Sequence, residues 1–92
     1  MTKSTDEKDL STPNTLTIGV DLGDRKSNIC VIDLAGTIIC EQMILTGPVS
    51  FADYFHRIPA AVVVIEVGMH SRWANRVLRE CGHEVIVANP CR

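Results

Sequence analysis

At 92 residues the chain has room for one hydrophobic core. Its 46% hydrophobic and 22% charged content excludes a disordered polymer, and its 4% aromatic content makes that core aliphatic. The net charge of −2 gives no bulk support for nucleic-acid binding, since a small autonomous binder carries a basic surplus, so any functional charge must be local.

The charge is spread evenly. Residues 1–15 carry two lysines against three acids, and the other 77 residues carry seven basic against eight acidic groups, so each part sums to −1. The longest apolar run, residues 59–65, is too short to span a bilayer. The polar, acidic N-terminus lacks the basic start and apolar centre of a secretory signal, so the expected location is cytoplasmic. Cys30, Cys40, Cys81 and Cys91 contain no C-x-x-C pair. That spacing argues against zinc, and a reducing compartment argues against disulfides, which leaves buried or partly buried free thiols.

Residues 1–14 have no apolar period and read as a disordered tail in front of a single domain over 15–92. Residues 16–23 alternate apolar with small or polar groups and predict a strand. Residues 28–33 are rich in β-branched side chains and predict a second strand, followed by a turn at 34–36 and a third strand over 37–44. Short links make these three an antiparallel meander. Gly47-Pro48 ends it. Ser50 reads as an N-cap, with Asp53 three residues on in a weak capping box. Phe51, Tyr54, Phe55 and Ile58 mark one helical face, which Pro59 stops. The nearly unbroken apolar run over 60–67 predicts a parallel strand covered on both faces, with Glu66 as the one exception. Residues 70–81 predict a second helix with an apolar stripe of Trp73, Val77, Leu78 and Cys81, capped by His70 or, better, Ser71, and closed by Gly82 at C′. Residues 84–88 predict a last strand. The order β-β-β-α-β-α-β, with right-handed crossovers, gives an α/β fold with a mixed sheet of the ribonuclease-H-like kind, incomplete at its C-terminus.

Two carboxylates lie on strands that read as apolar. Asp21 sits between Val20 and Leu22, and Glu66 lies near the end of the most apolar strand. A buried ionised carboxylate must be paired or bound to metal. In this strand order the first and fourth strands are neighbours, about 4.8 Å apart, so Asp21 and Glu66 face each other. Facing carboxylates repel unless a cation lies between them, and oxygen-only ligands favour Mg²⁺ or Mn²⁺. The competing reading is that each carboxylate sits at a strand end, either solvated or paired with Arg72 or Lys26. Arg25 and Lys26, between the first two strands, are either turn residues or phosphate donors. Arg72, Arg76 and Arg79 line one side of the second helix, as a solvated face or as contacts to a nucleic-acid backbone beside the carboxylates. His56 and His83 read as surface residues, and Trp73 as a core anchor.

The segments Ile18-Gly19-Val20-Asp21-Leu22-Gly23, Val64-Ile65-Glu66-Val67-Gly68-Met69-His70-Ser71-Arg72-Trp73 and Gly82-His83-Glu84-Val85-Ile86-Val87-Ala88-Asn89-Pro90, in this order and spacing, resemble the N-terminal domain of the insertion-sequence-110 family of DEDD transposases. The resemblance implies a RuvC-like nuclease domain that holds Mg²⁺ with four acidic residues and joins the DNA ends of a mobile element to a target. It also implies a separate serine-bearing domain and, in some members, a guide RNA. Asp21 and Glu66 match the first two acidic positions. The other two, and the serine domain, fall beyond Arg92, so the resemblance implies an N-terminal piece that binds its ion weakly and is inactive alone. Met69 stands where the family carries Thr, and Cys91 where it carries a basic residue.

Two other function classes fit parts of the pattern. The actin, heat-shock and sugar-kinase ATPases share the fold and an Asp-Leu-Gly after the first strand, but there a small hydroxyl-bearing loop follows, not Asp24-Arg25-Lys26. A non-catalytic remnant is the other, in which the last strand offers an edge for a homo-oligomer.

Overall fold

The computed structural model describes residues 16–89. The expected tail over 1–14, together with Pro90 and Cys91, lies outside the described residues. Five strands and two helices follow in the order β1 (Thr17–Asp21), β2 (Lys26–Ile32), β3 (Ile38–Leu45), α1 (Pro48–His56), β4 (Val62–Glu66), α2 (Ser71–Glu80) and β5 (Glu84–Ala88). They form one mixed sheet in the order β3-β2-β1-β4-β5. The meander β1-β2-β3 is antiparallel, and β4 and β5 add to it in parallel.

Local chemistry sets most boundaries. The β2–β3 turn is closed by Asp33, whose Oδ1 accepts from the N–H groups of Ala35 and Thr37, both at 2.9 Å. Gly36 supplies the left-handed residue there, at φ 85°. Lys26 and Ser27 extend β2 two residues earlier than their polarity suggests, because the register carries them opposite Leu45 and Ile44. Helix α1 begins at Pro48, whose fixed φ suits a first helical position. The expected Ser50–Asp53 capping box does not form. Ser50 lies inside the first turn and donates its hydroxyl back to the carbonyl of Leu45, while Asp53 pairs with Arg57 at 2.9 Å on the surface. Ser71 likewise makes no cap bond, and its hydroxyl ties instead to Gly68. Helix α2 ends in a Schellman closure. Gly82 stands at φ 94°, its N–H donates to Arg79 O at 3.0 Å, and that of His83 to Leu78 O at 3.1 Å.

The core is aliphatic with a pair of phenylalanines. Ile18, Ile29, Val63, Ile65, Leu78, Phe51 and Phe55 are fully buried between one sheet face and the helices. Expected coverage of both faces of β4 is not found. Residues 18, 20, 29, 31, 63, 65 and 85 are buried, whereas Val64 is half-buried and Ile86 exposed. The reason is handedness. The two crossovers, from β3 to β4 and from β4 to β5, run in the same direction across the sheet, so right-handed connections place both helices on one face. No described element covers the other. His83, expected at the surface, is also buried. Its Nδ1 accepts from the Ala61 N–H at 3.2 Å, and Nε2 meets Phe55 O at 2.9 Å, which stitches the end of α1 to the start of β4. No described helix is long and apolar enough to cross a membrane.

Candidate metal and nucleic-acid site

Strands β1 and β4 run parallel with Val20 opposite Ile65, so the next residues on each, Asp21 and Glu66, are neighbours at the carboxyl ends of adjacent strands. Crevices outside the carboxyl ends of parallel strands are the usual ligand sites of open α/β sheets. Alternation turns both side chains to the face that the helices leave bare. For that reason neither is buried, contrary to the expectation from their apolar neighbours. Desolvation therefore does not explain them. What remains is proximity of like charges, and neither forms an ion pair with Arg72, Lys26 or any other described residue.

Two hollows meet at this pair. A shallow groove of about 430 Å³ runs over the bare face, floored by Gly19 and flanked by Asn28, Cys30 and Val64. A smaller cleft of about 140 Å³ opens at the strand ends, where Asp21 and Glu66 are joined by Asp24, Met69 and His70. Asn28 pairs directly with Asp21 across the β1–β2 ladder. The turn between those strands is tight, because a Cβ on Gly23 would stand 2.3 Å from Lys26 O. Carboxylate oxygens suit a hard divalent cation such as Mg²⁺ or Mn²⁺ by donor type. Among the described residues no three ligating side chains converge on one point, so the donor set fits such an ion as part of a site.

The basic candidates are less concentrated. Arg25 and Lys26 are exposed, Arg25 in the turn next to Asp24 and Lys26 as the first residue of β2, and neither lines the cleft. Arg72 is exposed in the first turn of α2. Arg76 is exposed one turn further along α2. Arg79 sits about 10 Å beyond Arg72 along the axis. It is anchored, with Nε donating to Asn75 Oδ1 at 2.8 Å and Nη2 to Val85 O at 3.3 Å. Asp24, Asn28 and His70 were not singled out as site residues by pattern. The hairpin register would reveal Asn28 opposite Asp21 only once the turn length is known.

The mixed sheet, three antiparallel strands extended by two parallel ones with two crossover helices, is a ribonuclease-H-like fold of the RuvC type. A solved structure of RuvC from Thermus thermophilus shares it, with a TM-score of 0.55 at 18% identity, covering 82% of this chain and 62% of that one. No protein-family model and no curated protein matches the sequence.

Proposed function

We propose that the chain is the N-terminal part of a DNA transposase or recombinase of the insertion-sequence-110 type, in which a RuvC-like domain cleaves and transfers DNA strands with Mg²⁺ or Mn²⁺. The reading is carried by Asp21 and Glu66, side by side at the ends of neighbouring parallel strands and lining one cleft. These two residues would hold the ion, and when bound it would activate a water or hydroxyl and stabilise the leaving oxygen of a phosphodiester. Asp21 and Glu66 supply acceptor-only oxygens on strand ends that the core holds rigid. Arg25, Lys26 and Arg72, exposed just after Asp24 and on the first turn of α2, would serve as donors to backbone phosphates, which position a strand without reading its sequence. Arg76 extends that track along α2, and Arg79 adds one charge at its far end. The partners are DNA, as the ends of a mobile element and its target, and in the wider family a guide RNA.

A Mn²⁺ titration followed by NMR tests this. Selective paramagnetic broadening at Asp21 and Glu66 is expected, weak in affinity and lost in Asp21→Asn and Glu66→Gln. Uniform broadening, or none, removes the reading. The isolated chain is expected to cleave no DNA, and Mg²⁺-dependent cleavage abolished by Asp21→Ala would show instead that it is sufficient. Tight ATP binding in calorimetry would move it to the ATPase class.

A further inference from the structure

His70 and Trp73 lie at the α2 side of the cleft. The indole N–H of Trp73 donates to Nδ1 of His70 at 3.1 Å, and the rings meet edge-on with centroids 5.9 Å apart. A ring nitrogen that accepts carries no proton, so the hydrogen-bond network assigns the neutral imidazole its hydrogen on Nε2. Trp73 is in turn fixed from below, edge-on to the fully buried Phe51 at 5.1 Å. The backbone leading to His70 is tied as well, since Ser71 Oγ donates to Gly68 O at 2.8 Å and accepts from Gly68 N–H at 3.1 Å. The imidazole is therefore aimed by the core.

What it aims is a donor without an acceptor. Nε2 is enclosed and makes no hydrogen bond. Across the cleft, Oδ1 of Asp24 stands 3.5 Å from it, beyond the usual N–H···O distance of about 2.9 Å. A buried N–H is costly to leave unmatched. Asp24 follows Gly23 in the tight turn and its carboxylate is in solvent, so packing does not fix its rotamer.

We infer that His70 is a positioning residue: with its tautomer set by Trp73, its Nε2–H holds the Asp24 carboxylate in the cleft beside Asp21 and Glu66. Asp24 thus adds a third carboxylate to the lining of that cleft. A neutral donor suits this task, because it orients a carboxylate without cancelling the negative charge that a cation requires, as hydrogen-bonding partners of metal ligands do. The consequence for cation binding rests on the proposed role of Asp21 and Glu66. The contact between His70 and Asp24 does not.

NMR on the labelled 92-residue chain tests both separately. His70 is expected to show the Nε2–H tautomer, and vicinal couplings to place Asp24 in a single χ1 rotamer. His70→Ala should average that rotamer, His70→Gln should restore it through an amide N–H at the Nε2 position, and Trp73→Phe should mix the tautomers. On adding Mn²⁺, the affinity sensed at Asp24 should fall by about tenfold in His70→Ala and recover in His70→Gln. Amide spectra report that each variant is folded. An Asp24 side chain that averages in the wild type, or behaves identically in wild type and His70→Ala, overturns the inference. If Mn²⁺ broadens nothing in any variant, the role of Asp21 and Glu66 fails, while the rotamer comparison still decides the role of His70.

Discussion

The two faces of the sheet are made from the same strands and obey opposite rules. The face under α1 and α2 carries Ile18, Val20, Ile29, Val31, Val63, Ile65 and Val85, all buried. The other carries Gly19, Asp21, Asn28, Cys30, Val64 and Glu66 around an open groove. Because strand side chains alternate, one residue step moves a group from the stabilising face to the face with polar and charged side chains. Stability and chemistry are thus separated by parity, and substitutions on the two faces should separate as well.

The largest contrast is expected between Phe55→Ala and Ile86→Thr. Removing Phe55 empties the core beneath α1 and should cost about 3–5 kcal/mol in urea unfolding. Ile86 is exposed, so the threonine should change stability by only about 0.5 kcal/mol. Equal losses would mean that the bare face is also a core. His83→Leu is next, since it strips the Ala61 N–H and the Phe55 carbonyl of their partner and should cost about 2–4 kcal/mol in the same assay. At the junction of the faces, Gly23→Ala forces the turn carrying Asp24 to shift. A loss of about 1–2 kcal/mol is expected, with amide shift changes concentrated at 21–26 and the core spectrum intact. On the open face, Asp21→Asn should change stability by only about 0.5 kcal/mol, because the side chain is exposed. A marked loss would show that Asp21 is structural.

The smallest effect concerns pH. Burial, with the nearby Cys40 thiolate, pushes the Tyr54 hydroxyl up, and burial with Glu80 pushes the Cys81 thiol up. Both raised values favour the neutral forms in the folded chain. Their contribution is therefore complete below the ordinary thiol and phenol ranges and is lost as pH rises through and beyond them. Chemical unfolding at neutral and at strongly alkaline pH should show that decline, and Tyr54→Phe should shrink it.

The elements were legible because their signals are local. The alternation over β1, the β-branched run of β2, the Phe51–Phe55 helical face and Gly82 at the end of α2 each act within a few residues. The capping of α1 is not legible because Ser50 and Asp53 match a local pattern that Pro48 preempts by starting the helix three residues sooner. His83 was misread because its partners, Ala61 and Phe55, are 22 and 28 residues away. Asp21 and Glu66 were legible as an anomaly, charges on apolar strands, but the reason attached to them was burial, and they are exposed.

By itself the sequence determined the order and type of the elements, the strand adjacency that brings Asp21 and Glu66 together, and a resemblance concentrated in the segments around them. Those follow from hydrophobic period, turn chemistry and the handedness of crossovers, all of which act along the chain. Tertiary structure decided which sheet face the helices cover, that the two carboxylates open onto a cleft in solvent, and that Asp24, Asn28 and His70 share their neighbourhood. Those depend on register and on contacts between residues far apart in sequence, where no periodicity reaches.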